Sequence, residues 1–135
     1  MSELDEIRQK YDSGRLDAIK VDLERFIIAH RSRILEYRTR HDREGVRFPE
    51  EVAVKFYLLR HRTINSQREI GDQLEEIRKE KWIRGVQAGR PPDEQEVAME
   101  WARRYAAVWR EHRVTTIVYV FDQEHERYCR LLTTP

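Results

Sequence analysis

Two pairs of histidine and carboxylate side chains have the spacing of metal ligands on a helix. Asp122 lies three residues before His125, and His41 lies three residues before Glu44, so each pair would share a helix face. Di-iron helical bundles need Glu-x-x-His motifs on two helices and two further inward-facing glutamates. The chain has one Asp-x-x-His, one reversed pair and no glutamate within an apolar stripe. The sequence therefore predicts neither a metal site nor a cofactor.

Cys129 is the only cysteine, and hence the only thiol that could act as a nucleophile. A single cysteine excludes an internal disulfide and the multi-cysteine zinc sites. His125 lies four residues earlier and could activate the sulfur on a helix, but no motif for an oxyanion hole accompanies the pair. Leu131 and Leu132 follow closely, which favours Cys129 as a small buried apolar group.

Arg25 and His30 form an Arg-x4-His pattern. This spacing resembles that of the helical HEPN-type ribonucleases, and the resemblance implies an enzyme that cleaves RNA. It extends over six residues, and Phe26 stands where that family usually has a polar residue. A helical enzyme, HEPN-like or metal-dependent, is therefore the third of three functional hypotheses.

The chain also has the outline of a helix-turn-helix: a helix over residues 49–62, a three-residue turn and a helix from Ser66. Its segment 66–74, SQREIGDQL, resembles the first helix of that motif in winged-helix regulators of the GntR type, which implies DNA binding. After this segment the helical pattern continues to residue 80, where that family has a turn glycine and a second helix. The helix from Ser66 also carries acidic side chains that would repel DNA phosphates, namely Glu69, Asp72, Glu75 and Glu76.

Six arginines concentrate in the segment from residue 31 to residue 47. Arg33, Arg40 and Arg47 recur at seven-residue intervals, which places them along one flank of an apolar stripe. The favoured interpretation is a charge seam, within one chain or between two subunits, in which arginine stems cover apolar residues. The alternative is a surface that binds RNA or phosphate ligands. The acidic partners of the seam would flank the stripe of the helix from Ser66, at Glu69, Glu76 and Glu80.

Aromatic residues form a second regular pattern, because Trp101, Tyr105 and Trp109 recur every four residues. On a helix they would form a ridge along one side. Such residues supply much of the core of a small bundle. When exposed, they are typical anchors of protein–protein interfaces, so the ridge is a candidate partner-binding surface together with Arg33, Arg40 and Arg47.

Length and composition limit the classes of protein to consider. The chain has 135 residues, of which 39% are hydrophobic and 38% are charged, with a formal net charge of +1. This length suits one domain, and the low net charge gives no general attraction to nucleic acid or to an anionic membrane. No apolar run approaches the roughly 18 residues that a membrane span needs. The charged start, MSELDEIRQK, has no hydrophobic segment typical of a secretory signal, so we expect a cytoplasmic protein.

Apolar residues at three- and four-residue spacing predict helices along most of the chain. The clearest stripe consists of Leu16, Ile19, Leu23, Phe26, Ile27, His30, Ile34, Tyr37 and His41. Predicted helices cover residues 2–11, 15–43 (ended by Gly45), 49–62, a segment from Ser66, and a segment from Asp93. Ser66 with Glu69, and Asp93 with Glu96, have the spacing of capping boxes. Between these last two helices, glycines and prolines predict a linker at 85–92 within a single domain spanning 1–135.

The C-terminal segment 114–133 is the ambiguous part of the chain. Its β-branched run VTTIVYVF is typical of a strand, and a β-hairpin is one alternative. The apolar residues nevertheless keep helical spacing, and neither Gly nor Pro interrupts them. A helix is therefore favoured over the hairpin.

These patterns together predict an all-α bundle of four to five helices, two of them long. Long apolar stripes in a short chain favour a homodimer or other homo-oligomer, which buries what one chain cannot. The leading functional hypothesis is a non-enzymatic cytoplasmic module that acts through protein–protein contacts, with no cofactor and no membrane partner. The alternative is a nucleic-acid-associated protein that uses the arginine-rich helix face.

Overall fold

The computed structural model describes residues 1–42 and 47–134, and the described residues form six α-helices and no β-strand. The all-α prediction is confirmed. The preference for helix over hairpin in 114–133 is confirmed as well, although a break at Glu124 divides this segment and raises the number of helices to six. The helices are α1 Glu3–Asp12, α2 Asp17–His41, α3 Glu50–His61, α4 Ser66–Ala88, α5 Glu94–Gln123 and α6 His125–Arg130.

Side-chain caps fix where several helices begin. Ser2 caps α1 in a complete capping box with Asp5, and the Asp93 carboxylate accepts a hydrogen bond from the Glu96 amide at 3.0 Å. The prediction that Ser66 caps α4 is wrong by one residue. Asn65 is the N-cap, and its side-chain oxygen accepts from the Arg68 amide at 3.0 Å. Asn is as good an N-cap as Ser, so the helix begins one residue earlier.

The end of α4 differs from the sequence prediction. The helix continues through Gly85 to Ala88 and ends at Gly89, which has a left-handed backbone with φ of 69°. The predicted linker at 85–92 is therefore reduced to the residues after the helix. Gly45, predicted to end the long second helix, lies outside the described residues, and α2 ends at His41.

The contacts of the chain divide into two compact units, where the sequence predicted a single domain. One unit comprises the residues up to Ile64 together with those from Val114 onward, and the other comprises residues 65–113. We refer to them as unit 1 and unit 2. Helix α5 contributes its first part to unit 2 and its last part to unit 1.

Unit 1 contains the principal hydrophobic core, built from α1, α2, α3, α5 and α6. The predicted stripe of α2 supplies much of it, with Leu23, Ile27 and Ile34 fully buried. Removing such a side chain from water stabilises the fold by about 1.5–3 kcal/mol. The stripe is met by apolar residues from the other helices, including Ile7, Val54, Val120, Phe121 and Tyr128.

Unit 2 consists of α4 and the first part of α5. Arg84 pairs with Glu100 at 2.8 Å, and Asp72 near the start of α4 pairs with Arg113, so the two segments run antiparallel. The buried apolar residues of this unit are on α5, at Val97, Trp101 and Ala106, whereas α4 has no buried residue. Over the part of the chain that the structure describes, no helix is long and apolar enough to cross a membrane.

Candidate functional site

Unit 1 has a cationic pocket between α2 and α3, which we call the arginine pocket. Its volume is about 580 Å³, within the range of small-molecule sites. Its lining consists of Arg33, Glu36, Tyr37 and Arg40 from α2 and Tyr57, Arg60 and His61 from α3.

Helical spacing explains why these side chains meet. On α2, Arg33 and Tyr37 are four residues apart, as are Glu36 and Arg40. On α3, Tyr57 lies three residues before Arg60 and four before His61, so the side chains of each helix share one face. Apolar residues on the same two helices, Ile34 and Leu58 among them, belong to the core. Packing of those residues fixes α2 against α3 and leaves the charged faces to line the pocket.

Arg38 attaches the end of α2 to the beginning of α3. Its side chain is buried, with 8% of the residue exposed. The guanidinium donates to the Phe48 carbonyl at 2.6 Å and to the Glu50 carboxylate at 2.7 Å. The sequence suggests that the arginines of this segment flank an apolar stripe in contact with solvent. Arg38 instead is buried and holds the backbone at Phe48 in place.

An aromatic cluster forms the inner end of the pocket. His30 Nδ1 lies 2.8 Å from the Tyr57 hydroxyl, and the Phe26 and His30 rings stack with centroids 4.1 Å apart. His61 approaches edge-on, with its centroid 5.0 Å from Phe26 and 5.1 Å from His30. Two side chains of the pocket lining, Tyr57 and His61, are thereby held by ring packing.

The two histidines of this cluster have defined hydrogen-bonding roles. Burial, and secondarily the positive charges of His61 and Arg33, lower the pKa of His30 below its usual value, so its ring is neutral at pH 7. His61 Nδ1 lies 2.9 Å from the Thr63 carbonyl, which can only accept, so Nδ1 carries the proton. In the neutral ring, Nε2 of His61 is then an acceptor.

The positive charge of the pocket is largely uncompensated. Within residues 1–42 and 47–134, neither Arg33 nor Arg60 forms an ion pair. Arg40 meets Glu36 at 3.9 Å, with both side chains at least 70% exposed, and such a pair contributes little. Three guanidinium groups of the described residues therefore share one pocket with a single described carboxylate.

Unit 2 has a different feature, an exposed apolar row on α4. Residues at four-residue steps lie along one ridge of a helix. The row is Ile70, Leu74, Arg78, Trp82 and Val86, which we call the α4 ridge. Trp82 is 71% exposed and Val86 63%. All five positions are exposed.

The residues predicted as partner-binding are placed in different environments. Arg33 and Arg40 line the arginine pocket, whereas Arg47 is exposed outside it. Trp101 is only 5% exposed because it is one of the buried apolar residues of unit 2. The predicted aromatic ridge is therefore not a continuous accessible surface. Tyr105 is 43% exposed, and Trp109 is half-buried beneath the Arg113 guanidinium, 4.7 Å from its ring centre.

Two of the three acidic residues of the predicted charge seam form ion pairs within α4. Glu76 contacts Lys79 at 3.2 Å and Glu80 contacts Arg84 at 3.1 Å. One carboxylate oxygen of Glu69 is buried and makes no hydrogen bond to the described residues. Local pairing at three- and four-residue spacing thus accounts for Glu76 and Glu80.

The side chains considered for metal binding have other partners. Asp122 forms an ion pair with Lys55 at 2.7 Å, and His125 Nε2 lies 3.6 Å from Glu51. His41 Nδ1 meets the Tyr37 carbonyl at 2.7 Å, and Glu44 lies outside the described residues. Within the residues that the structure covers, no group of three or more potential ligands is assembled.

The side chains considered for catalysis are not arranged for it: the Cys129 thiol is partly buried, and Arg25 and His30 point in different directions. Burial above all, and then the charges of Glu50 and Glu51, raise the pKa of Cys129 to about 11, so the thiol is protonated at neutral pH. Arg25 is exposed on α2 while His30 lies in the aromatic cluster. Five residues correspond to about 140° around a helix, so the two side chains of the Arg-x4-His pattern point apart.

Sequence reasoning missed the α3 side of the arginine pocket, which is formed by Tyr57, Arg60 and His61. The basic run RHR at residues 60–62 was the available signal. This run indicates a cationic pocket only when α3 is known to pack against the arginine face of α2.

Comparison with known proteins assigns no family to the chain. No protein-family model, curated protein or solved structure matches it. The function has to be inferred from the geometry and charge of the arginine pocket and the α4 ridge.

Proposed function

We propose that the protein is a non-enzymatic cytoplasmic interaction module that forms a homodimer through the α4 ridge. The observation that carries this proposal is the exposure of Ile70, Leu74, Trp82 and Val86, at 59%, 45%, 71% and 63%, along one row of α4. Several exposed apolar side chains aligned on one row of a helix are typical of an interaction site rather than of scattered surface residues, and tryptophan is prominent among interface hot spots.

The spacing of the row matches the packing of helix against helix. Ridges formed at four-residue steps pack into the grooves of a second helix at a crossing angle of about 50°. Helix α4 has no buried residue in one chain, although it carries many apolar side chains. A second helix across the α4 ridge would supply the missing contacts.

A second copy of the same chain fits this surface because the ridge is symmetric about Arg78. A two-fold axis at that position would bring Ile70 of one copy near Val86 of the other, and Leu74 near Trp82. Arg78 already pairs with Glu75 on its own helix, so the centre of the contact would not be left with two uncompensated charges.

The charge distribution of α4 supports the same arrangement. Its first half is acidic and its second half basic, so an antiparallel crossing of two copies places opposite charges together. Unit 2 as a whole has ten acidic and ten basic residues, which gives no preference for a polyanion. In the first half of α4 the acidic residues Glu69, Asp72, Glu75 and Glu76 outnumber the basic Arg68, and in the second half the basic residues Arg78, Lys79, Lys81 and Arg84 outnumber the acidic Glu80.

Analytical ultracentrifugation of the purified chain tests this proposal. We expect twice the chain mass at micromolar concentration, and Trp82→Glu should shift the protein to monomer while leaving its circular dichroism helical. Val108→Glu is the matched control, because Val108 is 70% exposed on α5 and lies outside the α4 ridge. A chain that remains monomeric at high concentration, or a dimer disrupted equally by both substitutions, would contradict the proposal.

A further inference from the structure

We propose that the arginine pocket of unit 1 binds the phosphate group of a nucleotide, either free or at the 5′ end of an RNA strand. The pocket places three guanidinium groups beside two tyrosine rings in a space of about 580 Å³. These are the two chemistries that a nucleotide requires, namely cations for the phosphate and flat apolar surfaces for the base.

The arginines of the pocket are available to bind a phosphate group. Arg33 and Arg60 make no ion pair with the described part of the chain, and the pair between Arg40 and Glu36 is loose at 3.9 Å. Guanidinium groups bind phosphate oxygens through paired N–H donors. Unlike Arg38, which is occupied by Glu50 and the Phe48 carbonyl, the pocket arginines retain donors for a ligand.

The aromatic side chains of the pocket can provide a stacking surface for a base. The Tyr37 and Tyr57 rings lie 6.1 Å apart at an angle of 76°, so their faces are not stacked on each other. Tyr57 and His61 are nearly parallel, with an interplanar angle of 23°. The half-buried Tyr37 ring packs on one side against the His41 ring, with centroids 4.4 Å apart, and a base would stack on its remaining face. Stacking of this kind does not depend strongly on which base is present.

Hydrogen bonds within the protein hold the lining side chains of the pocket in place. Tyr57 is held through its hydroxyl by His30 at 2.8 Å, and His61 is held through Nδ1 by the Thr63 carbonyl at 2.9 Å. Arg38 fixes the adjoining ends of α2 and α3. Two of the lining side chains are thus oriented before any ligand arrives, which reduces the ordering cost of binding.

Among the described residues, Glu36 is the only acidic residue of the lining. A carboxylate can accept hydrogen bonds but cannot donate them when ionised. It therefore suits a ligand that has a sugar hydroxyl or a base amino group in addition to the phosphate. Pyrophosphate, which has neither, is expected to bind less well than a nucleotide of the same phosphate charge.

Isothermal titration calorimetry with ADP, pyrophosphate and an eight-nucleotide RNA tests the proposal, the RNA being used with and without a 5′ phosphate. ADP should bind at least about tenfold more tightly than pyrophosphate. Arg33→Gln and Arg60→Gln should each weaken ADP about tenfold. Arg110→Gln, which removes an exposed arginine of unit 2, should leave the affinity unchanged.

The source of the nucleotide is distinguished by the RNA measurements. Tighter binding of the 5′-phosphorylated RNA than of the unphosphorylated RNA, lost in Arg60→Gln, would support a strand end as the ligand. Binding of ADP alone would support a free nucleotide. Binding of RNA irrespective of its 5′ phosphate and without any binding of ADP would overturn the proposal, as would no binding of any probe at millimolar concentration.

Tyr37→Leu separates a nucleotide site from a general anion site. Removing the ring should bring the affinity for ADP down toward that for pyrophosphate while the affinity for pyrophosphate itself changes little. All the substituted side chains except Tyr37 are exposed, so their replacement should leave the fold intact. Circular dichroism of each variant verifies that the fold is kept. An unchanged preference for ADP over pyrophosphate in Tyr37→Leu would overturn the role of stacking in the proposal.

Discussion

His30 and Tyr57 join α2 to α3 through a single hydrogen bond, with Nδ1 of His30 2.8 Å from the Tyr57 hydroxyl. The bond lies between the hydrophobic core, which His30 reaches by stacking on Phe26 at 4.1 Å, and the arginine pocket, which Tyr57 lines. This hydrogen bond therefore connects the hydrophobic core to the wall of the arginine pocket.

The protonation of His30 should make the stability of the protein depend on pH. Burial lowers its pKa in the folded state below the ordinary value of 6.5, so the unfolded chain binds this proton more tightly. The contribution of the neutral ring to stability is therefore present above pH 6.5 and decreases as the pH falls below it, toward the lowered pKa. Urea unfolding at pH 5 to 8 measures this slope.

The variant His30→Phe keeps a ring that can stack on Phe26 and removes the titrating group. We expect its free energy of unfolding to be lower at pH 8, by about 1 kcal/mol for the lost hydrogen bond, but to decline less on acidification than that of the wild type. An identical pH slope in the two proteins would show that His30 is not the responsible group.

Arg38 should contribute more to stability than any exposed arginine of α2. Arg38→Met leaves the Phe48 carbonyl and Glu50 without their donor in a partly buried site, and we expect a loss of about 2–3 kcal/mol in the free energy of unfolding. Arg40→Met is the matched control. Its pair with Glu36 is exposed and 3.9 Å long, so the loss should stay below about 1 kcal/mol. Equal losses in the two variants would contradict the distinction.

Much of the fold could be predicted from the sequence because hydrophobic periodicity is a local property. The stripe of α2, including Leu23 and Ile27, marks a helix and its buried face at once. The boundary errors have local causes, since Asn65 and Ser66 are comparable caps and Gly85 is tolerated within α4. The sequence gives no signal for the two compact units because α5 contributes residues to both without interruption.

The candidate sites were less predictable because they depend on which faces meet. Arg33 and Arg40 were identified from their spacing, but Arg60 and His61 join them only through the packing of α3 on α2. Trp101 and Trp82 have similar sequence signals, and yet the first is 5% and the second 71% exposed. Residue type alone does not decide which tryptophan is buried.

Cys129 should be unreactive in the folded protein. Its pKa of about 11, raised mainly by burial, leaves very little thiolate at pH 7.5, and the thiolate is the nucleophile. Labelling with iodoacetamide should be slow under native conditions and fast in urea. Rapid labelling of the native protein at the rate of a free thiol would contradict the buried environment of Cys129.

Charge exchange on α4 gives the most specific test of the proposed dimer. Glu75 and Lys81 are equidistant from Arg78, so the proposed two-fold axis places Glu75 of one copy near Lys81 of the other. Glu75→Lys and Lys81→Glu should each weaken the dimer, because each brings like charges together. The double variant should recover part of the affinity, and the recovery should decrease with added salt. Sedimentation equilibrium at two salt concentrations measures these effects.

Helix geometry keeps Glu75 and Lys81 of one chain apart. Six residues separate Glu75 and Lys81, which corresponds to about 240° around a helix and about 9 Å along it, so the two side chains of one chain do not meet. Recovery in the double variant therefore cannot arise from a direct ion pair between positions 75 and 81 of one chain. The control is Glu75→Lys with Lys79→Glu, which conserves the net charge of α4 but does not restore the pair, and it should remain as weak as Glu75→Lys alone. Equal recovery in both double variants would indicate that net charge, and not the antiparallel crossing of α4, governs the association.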